Sequence, residues 1–434
     1  MSTQPQYDLL VTNVRLARPL QDGTPLTDIA IKNGKFAKVA PGLNTGDAAE
    51  VIDGGGMYAF PGLVDAHMHV GIYSPLRDDA VTESKAAAMG GVTSALTYFR
   101  TGDYYLNKGG PYAEFYPEVL EQSAGRYWVD YGYHLAPINK GHIDEMPLLL
   151  DKHGVSSFKI FMFYGGFGLH GRSGNQRNFL HLEEGENYDF AHFEFIMRKL
   201  SKMIRENPER ASQLSLSLHC EIADILNAYT AMVERDGKLK GLHAYNAARP
   251  PHSEGLAVFI ASYLAYETDL PNVNLLHLSG RKALGAALMM EQLFPHISFG
   301  KEITIGHLLL DVDSPAGPKA KVNPPIRPRE DVEYLWEKVL AGDVDWVVSD
   351  HACCEAEMKV SAENPDDIWL AKSGFGGTEY LLSGLFSEGS KRGLSPNRVA
   401  ELTSLNPARR FGLNTKGDVA EGLDADLVLL DPNE

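Results

Sequence analysis

Five short stretches of this chain carry residue types that bind metals or move protons. Asp65-Ala66-His67-Met68-His69 places two histidines at i and i+2, a spacing that on a β-strand turns both imidazoles to one side and toward one ion. Phe158-Lys159-Ile160-Phe161 sets a lysine inside an apolar run. His219 and His277 each close a short apolar stretch, and Asp350-His351 follows Trp346–Ser349. Singly, each has a plain structural reading. A strand-end histidine is commonly a hydrogen-bonded core or rim residue, a lysine can reach for the rim, and an aspartate can cap the next segment. Four histidines, a lysine and an aspartate at the same end of successive strands are harder to explain as unrelated polar groups. The lysine is the most informative of them. Burial among Phe158, Ile160 and Phe161 penalises an ammonium ion and lowers its pKa. A neutral amine can add carbon dioxide to give a carbamate, an anion able to bridge two metal ions.

The elements that must position these groups alternate. Strand candidates are Ala59–Val70, Thr93–Phe99, Val129–Ala136, Ser156–Phe163, Leu214–Cys220, Val273–Leu278, Ile297–Ile305 and Trp346–Ser349. Helical stretches between them include Asp79–Met89, Phe190–Arg205, Ser253–Tyr266, Arg281–Leu293 and Asp331–Leu340. Eight such repeats predict an α/β fold, a (β/α)8 TIM-like barrel, whose catalytic groups sit at the C-terminal strand ends. Before the barrel, Tyr7–Leu16 alternates loosely, and Ile29–Lys32 with Phe36–Ala40 flanks an Asn33-Gly34 turn, a hairpin signal. After it, Leu427–Leu430 is another strand. The expectation is a small discontinuous β-domain from residues 1–57 and 409–434, with the barrel over 58–408. The competing arrangement is an extra strand at the barrel edge.

Composition narrows the function classes. The 434 residues hold 40 basic against 57 acidic side chains, a net charge of −17 that disfavours nucleic acid and anionic membrane surfaces as partners. Three cysteines (Cys220, Cys353 and Cys354) make neither a disulfide framework nor a CxxC zinc site. No basic-then-apolar leader and no bilayer-length apolar run are visible, so the expected setting is the reducing cytoplasm.

These motifs carry a family resemblance over nearly the whole chain. Phe60-Pro61-Gly62-Leu63-Val64-Asp65-Ala66-His67-Met68-His69 resembles the opening motif of the amidohydrolase superfamily. Ser157-Phe158-Lys159-Ile160-Phe161-Met162 resembles the carboxylated-lysine strand of hydantoinases and dihydropyrimidinases. Leu218-His219-Cys220-Glu221, Leu276-His277-Leu278-Ser279, Asn323-Pro324-Pro325-Ile326-Arg327, Ser349-Asp350-His351, Asn406-Pro407-Ala408-Arg409 and Asp424-Ala425-Asp426-Leu427-Val428 follow in the family's order.

The resemblance implies a binuclear-metal hydrolase that opens a cyclic amide, imide or ureide ring by attack of a metal-bridging hydroxide. Its cofactors would be two divalent ions, zinc or manganese, and N6-carboxylysine at Lys159. His67, His69 and Asp350 would bind the inner ion, His219 and His277 the outer one, and Lys159 would bridge. Asp350 would also shuttle the proton, and Tyr164 would polarise the scissile carbonyl. Asn323, Ser373, Tyr164 and Phe167 are the candidate substrate contacts. Asn323 replaces the serine that hydantoinases carry before the Pro-Pro pair, and Ser373-Gly374 stands where they have Asn-Gly, which leaves the ring recognised open between hydantoin, dihydrouracil and another cyclic amide, imide or ureide. The loops near the mouth are aromatic, with the Tyr104-Tyr105 pair as candidate pocket wall. The implied partner is a small cyclic amide, and the implied assembly a homodimer or homotetramer. The alternatives are another amidohydrolase acting on a different lactam or a linear amide, and a non-catalytic dihydropyrimidinase-like scaffold. Retention of all six ligand positions weighs against the scaffold.

Overall fold

A computed structural model describes residues 5–166, 168–171 and 176–433. The chain begins with β1 (Tyr7–Leu16), β2 (Leu26–Lys32), β3 (Lys35–Ala40), β4 (Ala48–Asp53) and β5 (Tyr58–Pro61). The hairpin between β2 and β3 turns on Asn33 and Gly34, both left-handed with φ of 52° and 69°. That geometry is what a two-residue turn needs to match strand twist, and asparagine with glycine tolerates it best.

Eight further strands form the second sheet: β6 (Leu63–Met68), β7 (Val92–Phe99), β8 (Asp130–Leu135), β9 (Ser157–Phe161), β10 (Ser215–His219), β11 (Asn272–Leu275), β12 (Ser298–Thr304) and β13 (Trp346–Val348). They pair in parallel in strict sequence order from β6 to β13. A parallel bridge between Met68 and His351 brings the last strand back to the first, giving the (β/α)8 barrel. The last strand, β14 (Leu427–Leu430), leaves the barrel and pairs antiparallel with β5. The small sheet therefore runs β14-β5-β1-β2-β3, with β4 parallel to β1, and both ends of the chain build it.

One strand candidate is really two. Ala59–Val70 breaks at Gly62: Tyr58–Pro61 belongs to the small sheet, and the barrel strand starts at Leu63. A side chain at Gly62 would collide with Thr93 and Asp426, so the crossing between sheets passes through a gap only glycine fits. The helix Phe190–Glu206 illustrates the outer layer. Asp189 caps it by accepting from the His192 backbone N–H, and Phe193, Ile196, Met197, Leu200 and Ile204 form the buried stripe at three- and four-residue spacing. The other expected helices run Leu76–Met89, Pro251–Glu267, Arg281–Leu293 and Arg329–Ala341.

The barrel interior is filled from below. Ala66, Leu96, Trp346, Val348 and Phe411 pack together there, with the Trp346 and Phe411 rings 5.9 Å apart edge to face. Phe411 comes from the returning C-terminal segment. With that end filled, the barrel interior opens at the C-terminal mouth of the strands. Trp346 lies across Gly300, where an added Cβ would sit 2.1 Å from the indole. Gly300→Ala is expected to destabilise the fold by about 1–3 kcal/mol through overpacking, measured by equilibrium chemical denaturation. An unchanged midpoint would mean that the indole moves aside freely.

Candidate active site

Lys159 sits on β9, which is buried along its whole length, and its side chain is 1% exposed. Its Nζ lies 4.0 Å from the centre of the Tyr98 ring and 4.6 Å from that of Phe161. Burial brings its pKa down to about 7, although Asp350 and Glu302 pull in the opposite direction. A substantial fraction of this amine is therefore uncharged near neutral pH.

The histidines converge on it. His67, at the end of β6, is fully buried and lies with its ring 5.5 Å from that of His277, which is 4.3 Å from that of His219. Burial holds His67 and His277 well below the usual imidazole pKa, lowers His69 and brings His219 to about 4. All four are neutral and offer lone pairs rather than positive charge. Asp350 Oδ1 is 3.1 Å from His67 Nε2 and 3.2 Å from His69 Nε2. The His67 contact lacks hydrogen-bond geometry: among the described residues His67 Nε2 is buried without a partner, as is His277 Nδ1. Ligand atoms of His67, His277 and Asp350 all lie within 4.8 Å of one another. Neutral imidazoles and a carboxylate aimed at one another, with orphaned nitrogens between, fit a divalent ion and are costly without one.

Two buried carboxylates set the ring orientations. Glu302, on β12, accepts from the Trp346 indole at 2.9 Å and from the His277 backbone at 3.2 Å, and meets His67 Nδ1 at 2.7 Å. Burial pushes its carboxyl up to about 8. Glu221 meets His219 Nε2 at 2.6 Å, and Arg249 holds Glu221 at both oxygens, bringing its pKa down to about 2 despite burial. With these nitrogens committed, His67 is left with Nε2 and His219 with Nδ1, the usual arrangement when an outer carboxylate orients a ligand histidine. On the remaining side, the Tyr105 hydroxyl meets His69 Nδ1 at 2.8 Å.

His277 and Asp350 also have left-handed backbones, with φ of 36° and 53°. Such conformations strain non-glycine residues and persist where the surroundings impose them, as they do at both ends of this cluster.

The cluster opens into a cavity lined by His69, Lys159, Tyr164, Asn323, Asp350 and Ser373 among others. Tyr164 lies in the turn Met162–Gly165 that follows β9, stacked on Phe161 with ring centres 4.7 Å apart. The Asn323 side chain is already engaged. Its Oδ1 accepts from the Tyr245 hydroxyl, and its Nδ2 donates to the Leu169 carbonyl at 2.8 Å. Ser373 accepts from the Tyr73 hydroxyl at its carbonyl and donates from its N–H to His170 Nδ1 at 3.0 Å. Phe167 lies outside the described residues. Of the tyrosine pair, Tyr105 lines this cavity, and both line the adjoining outer cleft with Tyr73.

A second group, Glu83, His351 and Cys353, also lies close enough to hold an ion. The hydrogen bonding argues otherwise. His351 Nδ1 accepts from the Gly377 backbone N–H at 3.2 Å, so Nε2 carries the proton and gives it to Glu83. A metal there would require an imidazolate. Burial pushes the Cys353 thiol up to about 11, which disfavours a free thiolate nucleophile there.

The sequence reading missed Glu302, Glu221 and Arg249. Glu302 had a signal: a charged residue inside the apolar strand Ile297–Ile305, the same oddity that exposed Lys159. Glu221 followed His219 by two residues but lay past the strand. Arg249 is brought in by the fold alone.

Comparison with known proteins is consistent with this site. The amidohydrolase family model matches residues 58–434. The chain is 32% identical over 435 residues to an allantoinase of Rubrobacter xylanophilus, covering 98% of this chain and 86% of the relative. Among solved structures it resembles the dihydropyrimidinase of Brevibacillus agri (26% identity, TM-score 0.77, 97% of this chain and 85% of that one). It also resembles the L-hydantoinase (dihydropyrimidinase) of Arthrobacter aurescens (26% identity, TM-score 0.79, 97% and 86%).

Removing the Glu302 carboxylate frees His67 Nδ1 to rotate. Glu302→Ala should weaken divalent-metal affinity by about 10- to 100-fold, with Glu302→Gln, which keeps an acceptor, closer to the parent. Chelator-competition titration reads both, and equal affinity in all three proteins would remove Glu302 from the site.

Proposed function

The chain belongs to the amidohydrolase family, and from that premise we propose that it opens a five-membered cyclic ureide of the allantoin type. It is a metal-dependent hydrolase of cyclic-amide C–N bonds. The observation that carries the metal-hydrolase chemistry is the convergence of His67, His277 and Asp350 beside a buried, low-pKa Lys159. The ring class is supported by the allantoinase relative, and by Asn323 and Ser373-Gly374 standing where the hydantoinase pattern has other residues. A hydantoin or dihydropyrimidine ring is the second reading, supported by the names of the structural neighbours. The scaffold alternative has no support.

His67, His69, His219, His277, Asp350 and a carboxylated Lys159 would hold two divalent ions, with zinc favoured by the nitrogen-rich set. Bound there, such ions supply acidity to a water and polarisation to an amide carbonyl. The chain's own groups do the rest. Asp350 takes one proton from the attacking water and passes it to the ring nitrogen as the C–N bond breaks; the second proton is lost to solvent, leaving a carboxylate on the former carbonyl carbon. The Tyr164 hydroxyl donates to the carbonyl oxygen and strengthens that bond as negative charge grows there. With the Asn323 side chain tied to Tyr245 and Leu169, the ring would meet this rim mainly through backbone atoms and the Ser373 hydroxyl.

Lys159→Ala is expected to abolish turnover and to lower bound metal below two ions per chain, read by elemental analysis. Two ions and full turnover would remove the bridging role. Tyr164→Phe should lower kcat by about 10²–10³ with metal content unchanged. Assays on allantoin, hydantoin and dihydrouracil test the ring. Allantoin with the highest kcat/KM supports the ureide reading, and a preference for either other ring overturns it.

A further inference from the structure

Behind the cavity wall lies a cation that none of the chemistry above uses. Arg100 follows β7 directly, at the catalytic end of the barrel, and is 1% exposed. Its Nη1 donates to the Thr101 carbonyl at 2.9 Å, but among the described residues its Nε and Nη2 have no hydrogen-bond partner. A buried guanidinium normally meets a carboxylate, as Arg249 meets Glu221 and Arg327 meets Glu254 in this same molecule. Arg100 meets aromatic faces instead. Its guanidinium carbon is 4.6 Å from the centre of the Phe179 ring, 5.0 Å from that of Tyr164 and 5.7 Å from that of Tyr105.

Space has been made for this arrangement. Gly102 has φ of 107°, and a Cβ there would lie 2.8 Å from Arg100 Nη1 and 2.6 Å from the Phe179 carbonyl. Only glycine lets the guanidinium and the Phe179 segment close in together. Two of the three rings then reach the reaction site. Tyr164 and Tyr105 both line the cavity, and the Tyr105 hydroxyl meets His69.

We propose that Arg100 is a positioning residue for the reaction: its unneutralised charge, held against the Tyr164 ring, fixes that phenol and makes it a stronger donor to the carbonyl oxygen. A carboxylate partner would cancel the field at the ring. Without one, the positive charge acts through a dry, low-dielectric path on negative charge that develops at the phenol's far end. The benefit grows as the carbonyl gains charge, so the effect belongs to the transition state rather than to ground-state binding.

This inference rests on the role given above to Tyr164, and a double-mutant cycle separates the two. Arg100→Met, which keeps the length and removes the charge, should lower kcat about tenfold with KM and metal content near the parent values. Arg100→Lys should recover most of that loss. In the Tyr164→Phe background, Arg100→Met should change kcat by less than about twofold, since the group it acts through is gone. Equal losses in both backgrounds overturn the proposal, as does a lowered melting temperature with kcat unchanged. If Tyr164→Phe alone leaves kcat intact, the role of Tyr164 fails, whatever Arg100 does. Should Arg100→Met not yield folded protein, Arg100→Lys is read by the same cycle, with a smaller loss expected that vanishes in the Tyr164→Phe background.

Discussion

An ammonium ion at the position of Lys159 would give up its hydration to lie between the Tyr98 and Phe161 rings, so the barrel mouth penalises the charged form of its own lysine. The same burial discharges the four histidines around it. A site of neutral donors with one carboxylate is attractive to cations and tolerable only in their presence. Much of the surrounding architecture follows from this one constraint. Glu302 and Glu221 commit one nitrogen each of His67 and His219, Trp346 and Arg249 hold those carboxylates in turn, and two strained backbones at His277 and Asp350 complete the convergence.

The three buried arginines among the described residues are of two kinds. Arg249 with Glu221, and Arg327 with Glu254, are neutralised pairs deep in the wall, and Arg327 further ties Ser279, Asn246 and the Arg249 carbonyl together. Breaking such a pair leaves a stranded charge, so their main contribution is a rigid frame for the clustered histidines. Arg100 is the exception, sheathed by rings rather than by oxygen.

How much of this could be read from residues alone depended on range. His67 and His69 were visible because a period of two on a strand is a local rule, and Lys159 because a charge in an apolar run contradicts its surroundings. The Asn33-Gly34 hairpin was equally local. The barrel followed from eight alternations, yet the split at Gly62 did not, because Tyr58–Pro61 and Leu63–Met68 share one apolar pattern and differ only in which sheet each joins. Arg249 and Arg100 were invisible for the same reason: what distinguishes a paired from an unpaired arginine is a partner brought from far along the chain. The stretch containing Tyr104 and Tyr105 looked like pocket wall, but nothing nearby in the sequence linked Tyr105 to His69.

The joint at Gly62 has a mechanical side. Its N–H is held by the Asp426 carbonyl, β5 is clamped between β1 and β14, and β6 starts one residue later. There is no slack in that connection. A slip of one residue in the pairing of β5 would be handed straight to β6, and because strand faces alternate, it would exchange the positions of His67 and His69 with those of Ala66 and Met68. The small sheet thus works as a ratchet stop for the first strand of the barrel, fixing which way its histidines look from some distance away.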